Sequence, residues 1–153
     1  MYRRRTPGTK RDPARNWALP DRVFFACGAC HILAHAFIAT YRGSGFEPFW
    51  IRPIAGHTGN HVVVVRGGIA FDYHGYSRWS ELFAHMKTKA NRFFPGWDAD
   101  VIPLPADVLV SEAKSRSYPG LWLREPGQFL HDATPRAERY IARFPPPAAT
   151  RST

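Results

Sequence analysis

A β-hairpin pattern near the middle of the chain constrains the fold more than any other feature of the sequence. The stretch His61–Arg66 is apolar and β-branched, Gly67-Gly68 follows, and the stretch Ile69–Tyr73 is largely apolar again. Two-residue turns join antiparallel strands, and glycine adopts the positive φ angles that such turns need. The pattern therefore predicts a hairpin that turns at Gly67-Gly68, with Val64 opposite Phe71.

The predicted register brings ionisable side chains to one face of the hairpin. Side chains alternate along a strand, so His61 and Asp72 become diagonal neighbours, about 7–8 Å apart at Cα. A shift of one residue would place them on opposite faces. His74 is expected opposite His61, where it either tunes the imidazole or lies at the rim of a site. An imidazole and a carboxylate can meet in this arrangement.

A helix that carries a cysteine at its start is predicted ahead of the hairpin. Residues 29–41 are rich in alanine and lack glycine and proline, which favours a helix. The segment is apolar on most faces, so the helix is expected to be buried. Cys30 lies at its N-terminus, a position that lowers the pKa of a thiol and offers N–H groups to an oxyanion. Cys27 precedes Gly28 and is expected to line the site or to pack.

These three groups fit nucleophilic catalysis. A thiolate attacks a carbonyl, an imidazole moves the proton, and an acid holds the imidazole in the required tautomer. The sequence therefore predicts Cys30 as the nucleophile, His61 as the base and Asp72 as the orienting acid.

The remaining patterns predict an α+β fold in one domain. The buried helix is expected to pack on a small antiparallel sheet, with additional helices around it. Further strands are predicted at residues 49–54 and 101–104, and further helices at residues 77–93, 107–114 and 134–144.

Composition and charge limit the classes of protein to which the chain can belong. The chain has 153 residues, of which 44% are hydrophobic, which excludes wholesale disorder. Only two cysteines occur, too few for a secreted disulfide scaffold. Proline and basic residues predict a disordered basic arm over residues 1–20, a domain over 21–144 and a flexible tail over 145–153. Residues 1–16 carry a net charge of +5 out of +9, so contact of this arm with nucleic acid or an acidic surface is an alternative.

The sequence also predicts where in the cell the protein is found. No apolar run is long enough to span a membrane, so no membrane association is expected. The basic N-terminal stretch has no apolar segment of the kind found in Sec signals. We therefore expect a cytoplasmic protein, or one delivered as an effector without a Sec signal.

The stretch from Gly28 to Ala34, Gly-Ala-Cys-His-Ile-Leu-Ala, resembles the nucleophile helix of papain-like and transglutaminase-like cysteine enzymes. The His61 strand and the following Phe71-Asp72 are similar to their histidine and aspartate strands, and small members from bacteria and their mobile elements have this compact arrangement. The resemblance covers about residues 24–76. It implies a papain-like fold and a cysteine hydrolase or acyltransferase that needs no cofactor and acts on an amide or related acyl bond of a protein or peptide-like substrate.

The resemblance also implies a side chain that donates a hydrogen bond to the oxyanion. Papain carries a glutamine ahead of its cysteine for this purpose, whereas no glutamine precedes Cys30. Asn16 and Trp17 are therefore the candidates for that role, and His31 is a further candidate for lining the site.

Two alternatives of other classes remain open at this stage. Cys27, Cys30, His57 and His61 supply the ligand types of a zinc site, which would make the chain a zinc-stabilised binding module. The basic arm suggests, alternatively, a non-enzymatic protein associated with nucleic acid.

Overall fold

The computed structural model describes residues 7–54 and 56–149. It has five strands, β1 (Glu47–Pro53), β2 (His61–Arg66), β3 (Ile69–Asp72), β4 (Gly75–Arg78) and β5 (Ala99–Pro103). They form one sheet in the order β4-β3-β2-β1-β5, and every neighbouring pair is antiparallel. The predicted α+β class with an antiparallel sheet is confirmed.

The predicted hairpin is confirmed in its register as well as its position. Val64 pairs with Phe71, and Arg66 pairs with Ile69. Gly67-Gly68 forms the turn, and both glycines have positive φ angles of 49° and 76°. The two-glycine turn therefore sets the pairing that the sequence predicts.

Helices surround the sheet. They are α1 (Pro7–Arg11), α2 (Pro13–Trp17), α3 (Asp21–Ala26), α4 (Cys30–Thr40), α5 (Trp79–Phe93), α6 (Glu112–Ser115) and α7 (Thr134–Ile141), with 3₁₀ turns at Ala106–Val110 and Pro126–Gln128. Within the described ranges, none of these helices has the length and apolarity needed to span a bilayer.

The two long helices cover opposite faces of the sheet. Helix α4 packs on the face that contains Phe71, and the rings of Phe37 and Phe71 stack with their centroids 4.5 Å apart. Helix α5 covers the other face, where Val63 and the fully buried Trp97 lie. Because α4 lies between the sheet and helices α3 and α7, it is apolar on nearly all sides, as its sequence predicts.

The predicted disordered arm is folded over residues 7–20. Asp12 caps helix α2 because its carboxylate accepts the N–H groups of residues 14 and 15. The Arg136 guanidinium then holds the end of this segment by donating to the carbonyls of Trp17 and Leu19. Buried apolar contacts and an arginine from the distant helix α7 thus order a stretch whose composition alone favours disorder.

Parts of both predicted terminal segments are outside the described residues. The arginines at positions 3, 4 and 5 of the predicted arm, and residues 150–153 of the predicted tail, lie outside the described residues. Residues 145–149 form neither helix nor strand, and the hydroxyl of Tyr76 donates to the carbonyl of Pro145 at 2.9 Å.

The substitution Gly75→Ala tests how tightly the chain packs next to the turn between β3 and β4. Its φ is +88°, and a Cβ there would lie 2.5 Å from the ring of Phe144. We expect Gly75→Ala to lower the free energy of unfolding by about 1–3 kcal/mol for the strained backbone and by about 1–3 kcal/mol more for the displaced ring. Urea unfolding measures the loss.

Gly43→Ala is the matched control for this substitution. Gly43 has a similar φ of +77°, but an added Cβ would meet nothing within 4 Å. It therefore costs only the backbone strain. Equal losses at the two positions would show that the Phe144 ring moves aside freely.

Candidate active site

Cys30, His61 and Asp72 lie together where helix α4 begins. The His61 ring donates from Nε2 to Asp72 Oδ2 at 2.9 Å, and both side chains are buried. The Cys30 thiol is in hydrogen-bonding contact with the same ring. Because Nε2 is engaged by Asp72, Nδ1 is left for the thiol. Thiol, imidazole and carboxylate are therefore connected through one histidine ring.

The end of a strand pair makes this meeting possible. Strand alternation alone would direct His61 toward the face that α5 covers, together with Val63. However, the pairing of β2 with β3 stops at Val64 and Phe71. His61, the first residue of β2, and Asp72, the last residue of β3, lie beyond that last pair, and here the imidazole contacts both Asp72 and Cys30.

The carboxylate of Asp72 is held by groups at both of its oxygens. Oδ1 accepts the backbone N–H of His74 at 2.8 Å and lies 3.3 Å from Nδ1 of the His74 ring, while Oδ2 binds His61. Burial alone would raise the pKa of Asp72, but these hydrogen bonds outweigh it and hold the pKa well below its ordinary value. Asp72 is therefore a carboxylate in the folded protein.

Burial and hydrogen bonding also set the charges of Cys30 and His61. Burial raises the pKa of the Cys30 thiol, yet hydrogen bonds to His31 and His61 and the charges of these rings lower it to about 5. Burial lowers the pKa of His61, and its bonds to Asp72 and Cys30 raise it to about 10. At neutral pH the favoured state is thus a thiolate beside an imidazolium.

A second imidazole flanks the thiol. His31 is 3% exposed, and its Nε2 donates to the backbone carbonyl of Arg124 at 2.7 Å. Its ring also contacts Cys30. The sequence suggests His31 only as a residue that lines the site, whereas here it links the Cys30 thiol to the segment around Arg124.

The thiol opens into a pocket of about 170 Å³. Residues 121–124 form one wall of this pocket, and Asn60 lies on its lining beside His61. The sequence offers residues 121–123 either as a cover of the cleft or as part of the core, and the structure places them on the pocket lining. Sequence reasoning missed Asn60, and its position directly before the predicted base is the one local signal that could have identified it.

Four residues proposed from sequence to line the site lie outside the lining of this pocket. His74 is one of them: the pairing of β2 with β3 ends at Val64 and Phe71, short of the predicted position opposite His61, and the His74 ring contacts Asp72 Oδ1 instead. Asn16 is buried in α2, and Trp17 packs edge-to-face on Phe24 with 5.4 Å between ring centroids. Cys27 caps α3, and its N–H bonds to carbonyls of that helix. Because neither Asn16 nor Trp17 lines the pocket that Cys30 lines, neither is placed to act as the oxyanion donor.

The alternative zinc site is not assembled. All four of its ligands fall within residues 7–54 and 56–149, where no three His, Cys, Asp or Glu side chains are grouped so as to hold a metal. The His57 ring lies against Phe94, with 5.9 Å between centroids. The four side chains are therefore not gathered around one point in this part of the chain.

Comparison of the chain with protein-family models, with curated proteins and with solved structures gives no match.

Proposed function

We propose that the protein is a papain-like cysteine enzyme that hydrolyses or transfers the acyl group of an amide or related acyl bond. The observation that carries the proposal is the connected series Cys30–His61–Asp72 at the start of a buried helix. A low thiol pKa and a high imidazole pKa supply, in one pocket, the nucleophile and the acid that such a reaction needs.

The first half of the reaction forms an acyl-enzyme. The Cys30 thiolate attacks the carbonyl carbon, a C–S bond forms, and an electron pair moves onto the carbonyl oxygen. When the tetrahedral intermediate collapses, the bond to the leaving group breaks and the His61 imidazolium gives its proton to the departing amine. Asp72 holds the ring in place and keeps Nδ1 directed at the sulfur.

The second half releases the acyl group. Neutral His61 takes a proton from water, or from another acceptor nucleophile, as that nucleophile attacks the thioester carbon. The C–S bond then breaks and the thiolate returns, balanced again by the protonated ring. Hydrolysis and acyl transfer differ only in the nucleophile that enters at this step.

The pocket wall supports a protein or peptide-like substrate. Trp122 is 67% exposed on the lining, and Arg116 lies over its ring at 4.8 Å. Its indole also bonds to the Glu112 carboxylate. An aromatic ring held from two sides, with much of its surface open, suits contact with an extended apolar or planar segment next to the scissile bond.

Trapping of the acyl-enzyme tests the proposal. With p-nitrophenyl acetate, the thiolate displaces nitrophenolate and retains the acetyl group as a thioester. We expect a burst of nitrophenolate with one acetyl group on Cys30, identified by mass spectrometry of the intact protein and its peptides. Cys30→Ala should abolish the burst.

Cys27→Ala is the matched control because this second cysteine lies three residues earlier and outside the pocket lining. It should retain the burst. Acetylation of both cysteines at similar slow rates, or a burst that survives Cys30→Ala, would contradict the proposed function.

A further inference from the structure

We propose that the side-chain amide of Asn60 is a catalytic residue that donates from Nδ2 to the oxyanion formed during attack by Cys30. The inference rests on the proposed function and adds the donor that the reaction requires. A developing oxyanion is stabilised by fixed hydrogen-bond donors that face the reacting oxygen, in a site from which water is largely excluded.

The orientation of the Asn60 amide follows from its partner. Trp50 Nε1 lies 2.8 Å from Asn60 Oδ1. An indole N–H can only donate, so the amide end at Trp50 must be the oxygen. The NH₂ end is therefore the end left for the pocket, whose lining includes Asn60 together with Cys30.

Two tryptophans hold the segment that carries this amide. Trp50 and Trp97 are each 1% exposed, and Trp97 donates its indole N–H to the carbonyl of Thr58 at 2.9 Å. Both therefore anchor the turn ahead of His61 from the core. An exposed asparagine is ordinarily mobile, but here its oxygen and its neighbouring backbone are fixed before any substrate arrives, which is the condition for preorganised catalysis.

The site offers a second donor that would act with Asn60. Cys30 is the first residue of α4, and its N–H belongs to the group of amides at a helix start that have no acceptor within the helix. The preceding residue, Ala29, supplies no side-chain cap. An amide from the β2 side and a backbone N–H from the α4 side would then meet the same oxygen above the sulfur.

Two probes separate this role from the state of the thiolate. Attack on p-nitrophenyl acetate places negative charge on a carbonyl oxygen, whereas attack on dithiodipyridine breaks an S–S bond, releases thiopyridone and forms no oxyanion. Asn60→Ala loses the donor and adds no charge, whereas Asn60→Asp keeps an oxygen for Trp50 but adds a negative charge beside the thiolate. We expect Asn60→Ala to slow the acetate reaction by about 10- to 100-fold and to leave the pH profile with dithiodipyridine unchanged. Asn60→Asp should slow the acetate reaction as well and also move the dithiodipyridine profile to higher pH.

Matched variants complete the test. Thr58→Asp adds the same charge to the same exposed segment without touching the amide and should leave both reactions unchanged. Trp50→Phe keeps a ring in the core but frees the amide, so it should slow the acetate reaction alone. Melting temperatures check that each variant is folded.

The outcomes distinguish the two proposals. If Asn60→Ala leaves both rates unchanged, or lowers both equally, the amide is not the oxyanion donor while the cysteine chemistry stands. If the wild-type protein itself shows neither a low-pH thiolate with dithiodipyridine nor a Cys30-dependent acetate reaction, the proposed function fails and the role of Asn60 with it.

Discussion

Replacing His61 with alanine is expected to move the pKa of Cys30 from about 5 toward the ordinary thiol value of 9.0. Burial alone opposes the thiolate, and hydrogen bonds and charge from the rings of His31 and His61 overcome it. Without His61, burial again raises the pKa of Cys30, and only His31 opposes that rise. The rate of thiopyridone release from dithiodipyridine, followed across pH, reports the change as a shift of the whole profile to higher pH.

The size of the effect depends on the reaction that is measured. At about pH 6 the thiolate fraction falls by roughly three orders of magnitude, but a more basic thiolate is also more nucleophilic, with a Brønsted slope of about 0.4–0.5. The net loss with dithiodipyridine is thus about 10-fold at that pH. Acyl chemistry also loses its proton donor, which costs a further factor of about 10²–10⁴.

His57→Ala is the control for this variant. His57 lies four residues earlier and packs on Phe94 outside the pocket lining, so its removal should leave the profile in place. If His61→Ala keeps the low-pH profile, His31 and the helix start set the thiol pKa by themselves. The pairing of Cys30 with His61 would then have no part in activating the thiol.

Much of the site can be predicted from sequence because it depends on local rules. Alternation along a strand and the two-residue turn at Gly67-Gly68 fix the register, and the register brings Asp72 to His61 at 2.9 Å. The apolar composition of α4 places that helix in the core. These features each follow from residues close together in the sequence.

The remainder depends on contacts between distant segments, which no local pattern reports. The predicted helix over residues 77–93 begins at Trp79 because the chain first pairs back on β3 as strand β4. The pocket wall at residues 121–124 is irregular, and its place is fixed by a bond from His31 to Arg124, 93 residues away. Asn60 acquires its orientation only from Trp50, on a neighbouring strand.

The second large effect is expected on stability, from Asp72→Asn. Asp72 and His61 form a buried ion pair, and removal of one charge leaves the other without its partner in a low dielectric. The cost of breaking such a pair is about 3–5 kcal/mol, and we expect about 3 kcal/mol because the Cys30 thiolate and the new amide still face the imidazolium. Urea unfolding of both proteins over a range of pH measures the difference.

The pH dependence of that difference identifies its origin. The pKa of Asp72 is lowered on folding, so its contribution is present above its ordinary value of 3.8 and is lost as the pH falls through the folded value. The pKa of His61 is raised, so its contribution is complete below 6.5 and is lost as the pH rises through about 10. The cost of Asp72→Asn should therefore be largest between these two ordinary pKa values and decline toward pH 10.

Asp100→Asn is the control for the pH dependence of the Asp72→Asn stability loss. Asp100 binds Arg52 at the same 2.9 Å distance, but the two side chains are 56% and 39% exposed. Solvent and salt screen such a pair, so its loss should cost at most about 1 kcal/mol. Equal small losses in both variants, without the maximum between pH 3.8 and 6.5, would contradict a charged Asp72–His61 pair. The imidazole would then be neutral at rest, and His61 could act on Cys30 only as a base.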